Sequence, residues 1–497
     1  MPTGFAEALF LGDMFVVSIG RETSMSRISF GTSGWRGILG EDFIFDNVRV
    51  VTQAIADHLR VAGIHDRGVI IGYDARFMGV RFAREAARIL AGSGIKSFLC
   101  DRDTPTPVIA FEILRRKTAG GINFTASHNP YEYNGLKFSS DWGGPALPEI
   151  TRDIELRANA MFGEICYKEI PLDQAFRAGL VEEIDPRDAY FERIRSLVDF
   201  KAIAGSGMTI AVNPLYGTGR GYLDVLLREA GVKVVVINDN RDPYFGGLPP
   251  EPSPISIGDF MALVRGNVEI SLGLVTDGDA DRYGILDVDG TFIEPNYVLA
   301  LLFDYLVRTR KVRGDVARSV ATSHFVDAVA GHHGLSVLET PVGFKFIGEY
   351  IRDNRILIGG EESAGLTLRG HVPDKDGILA CLLVAEMVAV EGKTLAELLA
   401  DLYRRVGEFH TRRENVHLTD ELEEAFAGKI KNPPPTMAGR RVASVVTLDG
   451  CKLIFEDGSW VLFRKSGTEP VVRVYAEAGS SSALAELITA AQAFVTG

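Results

Sequence analysis

The sequence predicts an α/β protein of several domains, and two observations predict it. Short apolar runs end repeatedly in polar, glycine-rich turns: Val69 to Gly72 before Asp74, Ile122 to Phe124 before Thr125, Leu272 to Val275 before Asp277, and Ile356 to Ile358 before Gly359. Each reads as a buried strand feeding a loop. Helical patterns such as Phe82 to Leu90 and Ile378 to Val390 lie between them, which gives the strand and helix alternation of α/β domains. A chain of 497 residues fits about three or four domains. Ligands of such sheets gather outside the carboxyl ends of the strands, and the chemically rich loops of this chain fall at those ends.

Along the chain, residues 1–26 read as an extension; they are mildly apolar, hold Glu7 and Asp13, and lack the early Lys or Arg of a signal peptide. GTSGWRG, Gly31 to Gly37, brings an arginine in a turn. TASHNP, Thr125 to Pro130, sets Ser127 just after a strand, beside His128. The serine reads as a nucleophile or as a turn or cap residue. It does not match the Gly-x-Ser-x-Gly elbow, and an adjacent histidine is poorly placed to be its base in a hydrolase triad. NGLK, Asn134 to Lys137, adds an ammonium able to neutralise an anion or shuttle a proton.

Asp-Gly-Asp-Ala-Asp, Asp277 to Asp281, places three carboxylates at alternate positions, so an extended segment would project all three to one side. At ~4 Å each pair repels by ~4 kcal/mol at an effective dielectric near 20, so three ionised acids do not sit together unaided, and a hard divalent cation with oxygen ligands removes the repulsion. An EF-hand loop needs Gly at its sixth position and Glu at its twelfth. Arg282 and Val288 stand there instead, and an acidic surface turn is the other reading.

GGEESAG, Gly359 to Gly365, combines carboxylates and a hydroxyl after a strand, a clamp for sugar hydroxyls; KDG, Lys375 to Gly377, adds a lysine at a helix start. Pro249 to Pro254 and Pro433 to Pro435 mark loops or linkers, the latter ahead of a separate C-terminal domain. From Arg441 the chain reads as strand, turn at Asp449-Gly450, strand, turn at Asp457-Gly458, strand, loop, strand, and a final helix from about Ser482. RKSGTEP, Arg464 to Pro470, followed by Arg473, offers two arginines, two hydroxyls and a glycine turn to a phosphate.

A net charge of -13 argues against nucleic acid or an anionic membrane as the main partner, so any bound phosphate must meet a local basic pocket. Cys100, Cys166, Cys381 and Cys451 lie far apart, which fits neither a zinc site nor a disulfide framework and suits a reducing cytoplasm. No run of about eighteen apolar residues occurs. Nothing in the sequence fixes an oligomeric state.

In order and spacing these loops resemble the α-D-phosphohexomutase family, the phosphoglucomutases and phosphomannomutases. TASHNP, DGDADR and RKSGTEP are its most specific pieces; GYDAR at Gly72 to Arg76, TPTP at Thr104 to Pro107 and PLYGTG at Pro214 to Gly219 are looser. The resemblance runs from about Phe30 to the C-terminus. It implies three related α/β domains and a C-terminal α+β domain about a central cleft, with limits at 27–185, 186–291, 292–405 and 406–497.

It further implies that Ser127 carries a phosphoryl group, that Asp277, Asp279 and Asp281 hold one Mg2+ against it, and that Arg36, Lys137 and Arg282 surround the transferring group with His128 nearby. Lys137 would move the hydroxyl proton, for which its pKa must fall. Glu361 and Ser363 would grip ring hydroxyls. Arg464, Ser466, Gly467, Thr468 and Arg473 would hold the non-reacting phosphate, with Lys375 as a further ligand. A hinge near residues 406–438 would let the last domain close over a hexose phosphate that turns over through a glucose 1,6-bisphosphate-type intermediate.

Gly365 replaces the histidine of the GEMSGH-like loop of dual-specificity members, which favours glucose over mannose. GTSG differs from the GTDG typical of phosphoglucosamine mutases, and Val342 stands where some phosphoglucomutases place threonine. A phosphomannomutase or dual-specificity enzyme is the alternative, followed by a phosphatase or a silent sugar-phosphate-binding protein.

Overall fold

The structure is a computed structural model and describes residues 27–31, 34–162, 167–465 and 471–497. Four sheets follow one another along the chain. The first contains β1 (Phe30–Gly31), β2 (Gly34–Ile38), β3 (Val69–Tyr73), β4 (Ser97–Cys100), β5 (Gly120–Phe124), β6 (Tyr133–Ser140) and β7 (Val181–Ile184). The second contains β8 (Thr209–Asn213), β9 (Lys233–Val236), β10 (Ile270–Thr276), β11 (Tyr283–Leu286) and β12 (Phe292–Ile293). The third contains β13 (Val316–Ser319), β14 (Val337–Thr340), β15 (Ile358–Gly360) and β16 (Leu366–Leu368). The fourth contains β17 (His410–His417), β18 (Thr436–Met437), β19 (Arg440–Val446), β20 (Cys451–Phe455), β21 (Trp460–Lys465) and β22 (Val471–Ala478).

The first three sheets share one topological unit. Their spatial orders contain β6-β5-β3-β4, β11-β10-β8-β9 and β16-β15-β13-β14. In each, a central strand pairs in parallel with two neighbours, and the third strand turns back into an antiparallel fourth. The parallel strands are mostly apolar because helices cover both faces, and every residue of β3 and β8 is buried. The turn between third and fourth strands carries TASHNP in the first unit, DGDADR in the second and GEESAG in the third. No internal repeat is visible in the sequence, since burial fixes only the apolar character of the strands and leaves their residues free to diverge.

The helix Gly377–Glu391 is apolar on nearly all sides and lies in the core formed by the second and third units. Asp376 caps it by accepting the Leu379 N–H, and Gly392 ends it at φ 64°. Its start is pressed onto the second unit's loop, with Gly377 N–H donating to Ala280 O at 3.1 Å.

The fourth sheet is wholly antiparallel, ordered β17-β22-β21-β20-β19-β18, with the helix Ser481–Thr496 packed against it. It docks on the third unit through buried Trp460, Lys452 and Glu477. Lys452 Nζ donates to Val320 O at 2.8 Å and lies 3.9 Å from the Trp460 ring centroid, while Trp460 Nε1 donates to Glu477 Oε1 at 2.8 Å. Of the span 406–438, where a hinge is expected, β17 and the helix Asp420–Lys429 occupy most, and β17 pairs with β22 along its whole length. Pro433 to Pro435 lies inside the fourth domain and not ahead of it, since β17 precedes it; β17, HTRRENVH, has too few apolar residues to read as a strand and is half of an edge ladder whose partner supplies the burial. In the third unit the strand begins at Ile358, not Ile356.

Candidate active site

Ser127 sits in the loop joining β5 to β6, with φ 52°. That left-handed conformation costs a non-glycine residue about 1–2 kcal/mol. The fully buried pair Asp74–Arg76 at the end of β3 holds it. Arg76 Nη2 donates to Ser127 O at 2.7 Å and Asn129 O at 2.6 Å, and Nη1 donates to Pro130 O at 2.7 Å and Tyr133 O at 2.9 Å. Hydrogen bonds from a charged donor contribute about 1.5–3 kcal/mol each, so four of them outweigh the local strain. Ser127 Oγ donates to Asp277 Oδ2 at 2.9 Å, and His128 Nδ1 lies 3.4 Å from the same Oγ.

Asp277, Asp279 and Asp281 are fully buried and bring one oxygen each within 4.8 Å of one another. They do so by a turn, not by the extended segment the alternation suggested. β10 ends at Thr276, Ala280 N–H donates to Asp277 O at 3.0 Å, and Ala280 has φ 56°. Gly278 is required within this turn, because a Cβ there would lie 2.7 Å from Ser127 O. The PLYGTG segment braces the turn from behind: Thr218 N–H donates to Gly278 O at 3.0 Å. Thr106, the second threonine of TPTP, donates to Asp279 Oδ2 at 2.5 Å.

Lys137 Nζ lies 2.5 Å from Asp279 Oδ2 and 3.0 Å from Asp281 Oδ2, and Lys375 Nζ lies 2.9 Å from Asp281 Oδ2. Burial and the other two carboxylates push Asp277 up. Burial works upward on Asp279 and Asp281 too, but Lys137 holds the first low and Lys137 with Lys375 holds the second low. Burial alone would depress Lys137, but Asp279 and Asp281 reverse the sign and hold it above its ordinary value. Among the described residues, Oδ1 of Asp279 and Oδ1 of Asp281 are buried without any hydrogen-bond donor. Undonated, buried carboxylate oxygens in an all-oxygen set fit a hard divalent cation such as Mg2+.

Further cations line the same place. Arg36 on β2 donates to Asn129 Oδ1, and burial and Arg282 lower it to about 10. Arg282 lies 4.0 Å from Asp281, and its own N–H donates to Asp277 Oδ1 at 2.9 Å. Burial, Arg282 and Arg36 push His128 well below its ordinary value, leaving a neutral imidazole beside Ser127. Asp374, buried next to Lys375, is raised by burial to about 6.

Glu361 is buried and accepts the Gly343 N–H at 2.8 Å; burial and then Glu362 raise it to about 7. Ser363 is half-buried in the same turn. Val342 N–H donates to Asp449 Oδ2 at 3.0 Å, and Arg464 Nε donates to that oxygen at 2.9 Å, so the third unit's loop and the fourth sheet share one carboxylate. Arg464 and Arg473 are directly opposite in the β21–β22 ladder. Like charges so placed repel, which suits the pair to an anion. Ser466, Gly467 and Thr468 lie outside the described residues, as do Thr32, Ser33 and Cys166.

Family models described as phosphoglucomutase/phosphomannomutase match four successive stretches: alpha/beta/alpha domain I at 27–162, domain II at 188–290, domain III at 294–406 and the C-terminal domain at 414–492. The chain belongs to this family. It is accordingly an enzyme, a phosphohexomutase of the isomerase class. A phosphoglucomutase/phosphomannomutase of Thermococcus kodakarensis is 32% identical over 92% of this chain and 96% of its own. A candidate phosphoglucosamine mutase of Methanothermobacter thermautotrophicus is 30% identical over 90% of this chain and 93% of its own. The crystal structure of a candidate phosphomannomutase from Thermus thermophilus superposes with a TM-score of 0.82 at 34% identity, covering 95% of this chain and 100% of that one. The sugars named among these relatives differ, so family membership establishes the mutase and not its hexose. Among the described residues no helix is long and apolar enough to cross a membrane.

Asp74, Arg76, Thr125, Thr106 and Asp449 support this site, and sequence reading assigned none of them a role. A signal existed for the first two: an acid and a base two residues apart at the end of an all-apolar strand will be buried together, and a buried pair needs polar partners nearby.

Proposed function

We propose that this phosphohexomutase interconverts glucose 1-phosphate and glucose 6-phosphate through a phosphoryl group carried on Ser127. The observation that carries the reading is Ser127 Oγ at 2.9 Å from Asp277, against a buried three-aspartate cluster ringed by Lys137, Lys375, Arg36 and Arg282. A bridging protein phosphate is needed because one phosphoryl group cannot pass across a hexose ring from the C1 oxygen to the C6 hydroxyl.

In the first half, the Oγ–P bond of phospho-Ser127 breaks as a P–O bond to the free sugar hydroxyl forms, and the hydroxyl proton passes to a base. The sugar, now a glucose 1,6-bisphosphate, turns over. In the second half Ser127 Oγ takes the other phosphoryl group and the sugar oxygen regains a proton. Mg2+, held by Asp277, Asp279 and Asp281 beside Ser127, would neutralise charge on the phosphoryl oxygens. Arg36 and Arg282 stabilise the same charge from the sides. Lys137 is a cation in its present pairing, and the proton-moving role expected of it requires that its contacts with Asp279 and Asp281 be broken first; His128 is the neutral acceptor nearest Ser127.

Glu361 and Ser363 hold ring hydroxyls, Lys375 adds a ligand, and Arg464, Arg473 and the loop of Ser466, Gly467 and Thr468 hold the idle phosphate. The four domains take limits near 185, 291 and 405. A cytoplasmic setting accords with three buried, unpaired thiols at Cys100, Cys381 and Cys451.

The test is a coupled assay of wild type and Ser127→Ala on glucose, mannose and glucosamine 1-phosphates with a trace of glucose 1,6-bisphosphate. Turnover is expected to be fastest on glucose and absent in the variant. Equal rates on mannose or glucosamine refute the glucose preference, undiminished turnover in the variant refutes the serine relay, and phosphate release matching turnover makes the enzyme a phosphatase.

A further inference from the structure

Arg76 touches none of the reacting groups, yet all five N–H donors of its guanidinium are engaged. Nε donates to Asp74 Oδ2 at 3.1 Å, and the four remaining donors go to the carbonyls of Ser127, Asn129, Pro130 and Tyr133. The partner carboxylate completes a ring around Ser127. Thr125 Oγ1 donates to Asp74 Oδ2 at 2.7 Å and accepts the Ser127 N–H at 2.8 Å. Both polar groups of the Ser127 backbone therefore end on the Asp74–Arg76 pair, the carbonyl directly and the N–H through Thr125. The second unit closes the arrangement, with the Phe245 ring centroid 5.0 Å from the guanidinium carbon and Arg241 Nη2 donating to Arg76 O at 3.4 Å.

We propose that Arg76 is a positioning residue for phosphoryl transfer: with Asp74 and Thr125 it fixes the left-handed backbone of Ser127 and so aims Oγ at the aspartate cluster. The inference rests on Ser127 being the phosphoryl carrier. Within the loop a single backbone bond, Asn129 N–H to Ala126 O at 3.1 Å, closes the turn around Ser127 and His128, and the Asp74–Arg76 pair with Thr125 holds both polar groups of the Ser127 backbone at φ 52°. Serine lacks glycine's freedom there, and the loop's carbonyls point inward to one planar fork. Lysine cannot replace that fork, since its three donors radiate from one nitrogen and cannot serve four carbonyls and a carboxylate at two edges. A structural anchor would need only to keep the chain folded; a positioning residue must also govern the rate at which the serine exchanges phosphate.

The experiment compares Arg76→Lys, Thr125→Val, Thr125→Ser and Ser127→Ala with wild type. The readouts are kcat and KM for glucose 1-phosphate, the rate at which glucose 1,6-bisphosphate phosphorylates the protein by intact mass, and the melting temperature. In Arg76→Lys and Thr125→Val, kcat and the phosphorylation rate are expected to fall together by on the order of 10²-fold, the loss typical of ~1 Å misplacement, with KM changed less than about twofold. Thr125→Ser, which returns the hydroxyl, should rescue both rates. Folded Thr125→Val with wild-type kcat overturns the proposal even if Arg76→Lys does not fold, and so does a lowered melting temperature with kcat intact. Turnover by Ser127→Ala overturns the serine relay itself; its loss alongside a fully active Thr125→Val overturns only the positioning role.

Discussion

Substituting Gly377 by alanine tests whether the buried helix sets the geometry of the aspartate turn. A Cβ at 377 would stand 2.2 Å from Arg282 O, 2.7 Å from Arg282 C and 3.0 Å from Ala280 O, all backbone atoms that no rotamer change can move aside. Ordinary contact begins near 3.4 Å, so the helix start and the turn must separate by about 1 Å. The helix side is fixed by the Asp376 cap, whose Oδ2 also receives Tyr190 OH and lies 2.7 Å from His371 Nε2. The turn therefore yields, and it takes Asp277 with it because Arg282 N–H donates to Asp277 Oδ1. Alanine gains up to about 1 kcal/mol in helix propensity, while overpacking costs about 1–3 kcal/mol, so with the full gain the net change runs from near zero to roughly 2 kcal/mol destabilising. The catalytic loss is larger, on the order of 10²-fold for ~1 Å. Coupled measurement of kcat against Mg2+ concentration, with thermal melting in parallel, separates the two. A kcat within threefold of wild type and an unchanged Mg2+ requirement would refute the argument.

Thr106→Val removes the hydroxyl that orients Asp279 and is expected to raise the half-saturating Mg2+ concentration by about 10- to 100-fold, with Thr106→Ser close to wild type; a Mg2+ titration of activity decides it. Lys137→Arg keeps the charge but not a group that can lose its proton, so a kcat loss of about 10²-fold or more at unchanged KM marks a proton carrier, and retained kcat assigns the lysine to charge alone. Glu361 has its folded pKa raised to about 7, so its contribution to stability is fully present below its ordinary value of 4.5 and is lost as pH rises through 7. Melting temperature against pH should therefore slope downward across that window in wild type and flatten in Glu361→Gln; identical slopes would contradict the burial argument. The same variant should lose any rise of KM for glucose 1-phosphate below pH 7 that belongs to protonation of Glu361.

What the sequence disclosed depended on how local each signal was. Strands such as Val69 to Gly72 and Leu272 to Val275 were legible because a strand buried on both faces is apolar at every position. The C-terminal meander was legible through Asp449-Gly450 and Asp457-Gly458, turns with their own chemistry. β17 was not, since its eight residues acquire strand character only from β22. The aspartates were legible as a metal set while their geometry was misread, because alternate spacing implies one face only in extended chain and Ala280 at φ 56° breaks that premise. The tasks of Arg76 and Thr106 were not legible, although their motifs were, for a different reason. Each acts on a partner more than fifty residues away, Arg76 on Ser127 in its own domain and Thr106 on Asp279 in the next, and no spacing rule reaches that far.

The threefold unit explains how a chain of net charge -13 gathers a phosphate site. Each unit ends its third strand in a turn at the same place, and the three turns supply the serine, the three aspartates and the glutamate proposed to grip the sugar from parts that share one topology. Charge is then set locally. Arg36, Lys137, Arg282 and Lys375 stand against Asp277, Asp279, Asp281 and, beside Arg282, Glu251, so formal charges balance before any metal binds. Mg2+ would make the local excess two, enough to match a phosphoryl dianion on Ser127. Without the lysines the same three carboxylates, at 4.8 Å or less, would repel by roughly 3.5 kcal/mol per pair at an effective dielectric of 20. The lysines are therefore what lets the cluster stay folded between metal-binding events, and replacing both Lys137 and Lys375 by methionine should make folding stability depend on Mg2+, whereas stability indifferent to Mg2+ in that double variant would break this account.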